Sequence, residues 1–186
     1  MDWNEIFENH GIGYGDFLAQ YASDGEMELW RQMEAAIELT EPQRELLGSW
    51  TREIRVLCMA GAWCGDCIQQ IPIFERFAAS CPGLRIRYVD RDGGPWKESL
   101  TICGGARVPQ VLFLNEEGEF VARHGDRTLS KYRQMSREQL GGTCPTGIGL
   151  PPAELTAAVI QDWLEEFERV HWILRLSPRL RSKHGD

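Results

Sequence analysis

The chain of 186 residues lacks any apolar run approaching the roughly 20 residues that span a bilayer, so no membrane partner is expected. It is also short of positive charge. Twenty Lys and Arg stand against 28 Asp and Glu, a formal net charge of −8. That balance argues against a nucleic-acid partner, whose binding leans on a basic surface. The opening residues, Met1-Asp2-Trp3-Asn4-Glu5, carry neither the basic nor the apolar region of a secretory signal. A cytoplasmic, reducing location is the expectation. Six cysteines are too few and too irregularly spaced for a disulfide framework. Zinc commonly needs about four ligands. Only one Cys pair is closely spaced, and His10, His124, His171 and His184 show no paired spacing, so no metal is expected. Internal repeats are absent.

What is present suits one soluble domain with additions: 42% of residues are hydrophobic and 26% charged. Residues 1–52 read as a helical extension packed on a core. Short amphipathic pieces run over Asp2–Glu8 and Asp16–Tyr21, divided by Gly11, Gly13 and Gly15. A third helix starts near Asp24, which can cap it, runs to about Leu39 and carries Met27, Leu29, Trp30, Met33, Ala36 and Ile37 at mostly helical spacing. Thr40 and Pro42 open a fourth, running to Trp50.

From residue 53 the pattern changes. Ile54–Ala60 reads as a buried strand and Ile68–Ser80 as a helix. Leu84–Asp90 alternates as a second strand, and Pro95 opens a short helix. Gln110–Leu114 and Glu119–Arg123 form a hairpin around Asn115-Glu116-Glu117-Gly118. A parallel pair needs a crossover helix, which Ile68–Ser80 supplies. Residues 127–152 read as an insertion, holding a helix over Thr128–Leu140 and a glycine-rich loop. The longest helix follows from Ala153 to about Leu176. Residues 177–186, with Arg179, Arg181 and Lys183, read as a flexible, solvated tail.

Cys64 and Cys67 sit three positions apart where the first strand hands over to a helix. The partial positive charge of a helix start favours a thiolate. A thiolate at Cys64 can attack a foreign disulfide, and Cys67, one turn away, can release the product. Gly65 leaves room for a partner's backbone. Asp66 reads in two ways, as an ordinary first-turn acid or as a carboxylate that opposes ionisation of both sulfurs. The second reading predicts a Cys64 pKa above that of an Asp66→Pro variant. Trp63 reads as an apolar rim beside the thiol.

Trp63-Cys64-Gly65-Asp66-Cys67 after a strand, with Val108-Pro109 downstream, resembles the thioredoxin family. The likeness runs well from Ile54 to Arg127, loosely over the last long helix and hardly over the first fifty residues. It implies an α/β thioredoxin fold, a central mixed four-stranded sheet flanked by helices within residues 53–176. It implies Cys64 as nucleophile and Cys67 as resolver in thiol–disulfide exchange, chiefly the reduction of protein disulfides. Pro109 would follow a cis bond against the dithiol, leaving the Val108 backbone to pair with a substrate strand. No bound cofactor is implied; an external reductant, a thioredoxin reductase with NADPH or a thiol pool, restores the dithiol. Two positions depart from the family. Cys58 stands where many members carry a buried aspartate, and Tyr88 where its lysine neighbour usually stands. Both charges leave together, which avoids a lone buried ion. Cys58 reads as a small buried hydrophobe, and Cys81, Cys103 and Cys144 as inert thiols. The open alternatives are an oxidase or isomerase, and a binding or redox-sensing module with little turnover.

Overall fold

A computed structural model of the chain describes residues 1–140 and 150–185. The glycine-rich loop and Cys144 lie outside them. Side-chain hydrogen bonds open three of the four prefix helices, all but the second. Asp2 accepts the Glu5 N–H at 3.0 Å before α1 (Trp3–Asn9), and α2 spans Tyr14–Tyr21. Ser23 rather than Asp24 caps α3 (Asp24–Ala36): its hydroxyl accepts the Glu26 N–H while Glu26 accepts the Ser23 N–H. In α4 (Glu41–Gly48) the Thr40 N–H donates to Gln43, and Pro42 sits in the first turn.

The sheet is built of β1 (Ile54–Ala60), β2 (Leu84–Asp90), β3 (Gln110–Leu114) and β4 (Phe120–Gly125), in the order β2-β1-β3-β4. β1 and β2 pair in parallel across α5 (Gly65–Ser80); β1–β3 and β3–β4 are antiparallel. The expected mixed four-stranded α/β sheet is thus present. The β2 edge is closed by the prefix. Ile12 exchanges two backbone hydrogen bonds with Tyr88, at 3.0 and 2.9 Å. Gly11 is required there, because a Cβ on it would stand 2.8 Å from both Arg87 Cβ and the Phe7 carbonyl oxygen.

Helices cover both faces. On one, Phe74 and Phe77 of α5 and Phe113 of β3 pack edge-on against Trp163 and Phe167 of α8 (Ala153–Arg175). On the other, alternation along the strands turns Arg55 and Arg87 outward, and their guanidinium groups lie over the Phe7 ring of α1. α6 (Trp96–Ser99) follows β2, and α7 (Leu129–Leu140) precedes α8. No helix among the described residues is long and apolar enough to cross a membrane.

The expected tail is instead a helix, so α8 is the longest helix but not the last. Ser177 accepts the Leu180 N–H and Pro178 opens α9 (Pro178–His184), with Leu180 buried. Arg179 and Lys183 pair with Glu117 at 2.9 and 2.6 Å, and His184 lies 3.2 Å from Glu116. The acidic β3–β4 turn therefore holds the basic segment in place. That complementarity exists only once the hairpin has folded.

Candidate functional site

β1 delivers the chain to a tight turn at Gly61, where the Cys64 N–H donates to the Gly61 carbonyl at 3.0 Å. The Trp63 ring folds back over Gly61 so closely that a Cβ there would meet it at 2.8 Å. Cys64 is the N-cap residue of α5, with extended backbone angles, so the helix begins three residues earlier than its apolar pattern indicates. Cys67 falls in the first turn.

The two thiols lie 3.9 Å apart and are not bonded. Their surroundings differ. Cys64 is half-buried and reaches a cleft of about 360 Å³ beside Trp63, Arg91, Arg107 and Val108. Cys67 has no exposed surface and accepts the Gly61 N–H at 3.5 Å. The Cys67 thiol and, beyond it, the backbone N–H groups of Cys67 and Asp66 stabilise a Cys64 thiolate, whereas burial and the Asp66 carboxylate oppose it. The balance lowers the Cys64 pKa to about 7. Burial pushes Cys67 well up, reinforced by its neighbour's charge. One sulfur is therefore prepared to ionise near neutrality while the other holds its proton.

Val108 and Pro109 come to the dithiol from the start of β3. Their peptide bond is cis, and the Val108 carbonyl oxygen lies 3.6 Å from Cys64 Sγ. Trp63 is 50% exposed, with the Arg91 guanidinium 4.5 Å above its ring. Nothing stands within 4 Å of where a Gly65 Cβ would project, so that side of the thiol is open. The structure thus brings Trp63, Cys64 and Val108 to the wall of one cleft, while Gly65, Cys67 and Pro109 adjoin them in the chain without lining it.

Asp66 is also at the cleft, but not as a lone carboxylate. Arg127, two residues past the end of β4, places Nη2 2.5 Å from Asp66 Oδ2. The Asp66→Pro comparison therefore has two opposing sides: proline removes a charge already paired, and it removes an N–H that stabilises the thiolate. Arg127 and its neighbour Asp126 were not legible as site residues. Asp126 is 2% exposed, and its backbone carbonyl accepts from Gln70 Nε2 at 3.0 Å. Gln70 in turn accepts from Trp163 Nε1 at 2.9 Å.

Behind the dithiol, Cys58 and Tyr88 are register partners on β1 and β2. Both are fully buried, and burial raises both pKa values. The Tyr88 hydroxyl donates to Glu75 at 2.5 Å. Cys81 is buried and Cys103 exposed. His124 lies within β4, half-buried, with its ring 4.6 Å from that of Trp163. Among the described residues, no three His, Cys, Asp or Glu side chains gather where a metal could sit. Two larger hollows, about 560 Å³ each, contain no thiol in their walls.

The sequence matches the family model described as Thioredoxin over residues 13–136. That match starts inside the helical prefix and stops within α7, so the family likeness reaches further toward the N-terminus than the strand pattern implies. The fold is similar to that of a protein of unknown function from Pseudomonas aeruginosa, 17% identical, with a TM-score of 0.70 over 91% of this chain and 98% of that one. It is also similar to an HIV epitope-scaffold, 17% identical, with a TM-score of 0.65 over 90% of this chain and 99% of that one. No curated protein matches the sequence. At such identity these structures speak for the fold alone.

Proposed function

The chain belongs to the thioredoxin family, and from that premise we propose that it is a thiol–disulfide oxidoreductase reducing protein disulfides through Cys64 and Cys67. One observation carries the reading. A half-exposed thiol with its pKa lowered to about 7 sits 3.9 Å from a fully buried one that keeps its proton. In the forward direction the Cys64 thiolate attacks one sulfur of the substrate disulfide. A Cys64–substrate bond forms, and the other substrate sulfur leaves as a thiolate. Cys67 then gives up its proton, to the released substrate thiolate or to water, and attacks Cys64 Sγ. The Cys64–Cys67 disulfide closes and the second substrate sulfur leaves. Two electrons pass from the dithiol to the substrate. An external reductant, a reductase drawing on NADPH or a small-thiol pool, returns them, and no bound cofactor takes part.

Trp63 offers an apolar wall to the substrate chain, Gly65 leaves it space, and the Val108 backbone offers a strand-like edge. Such contacts are generic, so substrates are expected to be unrelated proteins in a reducing, cytoplasmic compartment.

Insulin reduction with dithiothreitol tests the reading. The native protein is expected to accelerate precipitation of the insulin B chain, and Cys64→Ser to abolish that acceleration. A native protein that leaves the uncatalysed rate unchanged would instead mark a binding or sensing module. The equilibrium potential of the couple separates reductase from oxidase, because about 30 mV corresponds to about 1.4 kcal/mol for two electrons.

A further inference from the structure

Asp66 places a carboxylate in the first turn of α5, two residues from the reactive sulfur. Negative charge there suits the helix end but opposes ionisation of a neighbouring thiol. The fold answers it from a distant part of the chain. Arg127 Nη2 stands 2.5 Å from Asp66 Oδ2, and the two side chains are only 21% and 16% exposed. The second arm of the same guanidinium, Nη1, lies 3.2 Å from Oδ2 of buried Asp126. The Tyr132 hydroxyl donates to the other Asp126 oxygen. Gln70, one turn along α5 from Asp66, donates to the Asp66 and Asp126 carbonyls at 3.1 and 3.0 Å. Arg127 is thus held from behind while it grips the carboxylate in front. A pair this sheltered from water interacts more strongly than a surface ion pair.

The charges facing Cys64 come from four elements. α5 brings Asp66, the turn after β2 brings Arg91, the segment before Pro109 brings Arg107, and the end of β4 brings Asp126 and Arg127. Arg91 is engaged by Asp92 and by the Trp63 ring. Arg107 reaches Asp126 at 3.4 Å. Among the described residues, Arg127 alone forms an ion pair with Asp66.

We propose that Arg127 is a positioning residue for the exchange reaction: by pairing with Asp66 it offsets that carboxylate's field at Cys64, so the sulfur meets its substrate as a thiolate. This assignment rests on the dithiol chemistry proposed above. It explains how the chain carries an acid inside its Cys-Gly-Asp-Cys turn without losing a reactive first sulfur. Arg127 touches neither substrate nor sulfur in this account; its charge offsets that of Asp66.

The test is the pH dependence of iodoacetamide alkylation at Cys64 of the fully reduced protein, read by mass. Arg127→Gln is expected to raise the midpoint by about one pH unit, lowering the thiolate fraction at pH 7 about five-fold. Arg127→Lys, which keeps the charge, is expected to restore most of the native midpoint. Asp66→Asn alone is expected to lower the midpoint, since it leaves the Arg127 charge unopposed beside Cys64. The double variant Asp66→Asn/Arg127→Gln is expected to return close to the native midpoint, since both members of the pair are then neutral. An unchanged midpoint in Arg127→Gln overturns the assignment, as does a double variant that keeps the full rise of Arg127→Gln. An unchanged or raised midpoint in Asp66→Asn also overturns it, and that variant keeps the side chain's shape should Arg127→Gln fail to fold. Alkylation needs no turnover, so an insulin assay on the same native preparation shows separately whether the reductase reading fails.

Discussion

At the scale of single residues, the contrast between two sulfurs governs how the molecule responds to pH. Cys64 ionises near pH 7 in the fold, against an ordinary value near 9. The folded, reduced protein therefore binds fewer protons than the unfolded chain across that window, and its stability rises as pH rises from about 7 to 9. Cys67, Cys58 and Cys81 have raised values, so their contributions are present below pH 9 and fade above it. Urea unfolding of the reduced protein is expected to show a gain on the order of 1 kcal/mol between pH 6.5 and 8.5, allowing for solvent screening of a half-exposed group. Cys64→Ser should flatten that rise; an identical slope in the variant would show that another group titrates. The thiol pair was legible in the sequence because both partners sit within one helical turn. The Asp66–Arg127 pair was not, because residues 61 positions apart leave no local period when only the folded sheet brings them together.

At the scale of elements, α5 is the part on which the site depends, and Gln70 is what ties it down. This buried amide joins the Asp66 and Asp126 carbonyls to the Trp163 indole. Replacing it with leucine of similar size leaves a buried carbonyl and a buried N–H without partners, costing about 2–4 kcal/mol. Chemical denaturation of Gln70→Leu should show that loss; a change under 1 kcal/mol would mean the groups find water. Helix positions were largely readable from apolar spacing and caps, but their ends were less so. Gly65 and Asp66 are weak helix formers, which hid the start of α5, although the Cys64 N-cap geometry places both inside it. In α9 the local signals, Ser177 before Pro178, were in the sequence. Its basic residues suggested solvent because the acidic hairpin turn that receives them is remote.

At the scale of the whole molecule, the helical prefix is part of the core. Trp30 and Phe17 have no exposed surface, and Met33, Phe7 and Ile6 are nearly as buried. The Trp30 indole N–H donates to the Ala62 carbonyl at 3.0 Å, immediately before the Trp63-Cys64 turn. Removal of residues 1–52 would bare this apolar surface, open the β2 edge at Tyr88 and release Ala62. The truncated chain is expected to aggregate or bind hydrophobic dyes and to lose cooperative melting. A soluble 53–186 fragment with native thermal unfolding would contradict that role. The parallel pair, its crossover helix and the hairpin could be read ahead of the structure, since hydrophobic alternation and the parallel-pair rule leave few arrangements. The closing of the sheet edge could not, because a single bridging residue such as Ile12 has no period to detect.

The complete enclosure of Cys67 has one more consequence. A visitor tethered to this protein can hang only from the outer sulfur, never the inner one. Docking and departure share a single doorway, and the concealed atom works as an ejector that no outside molecule can occupy.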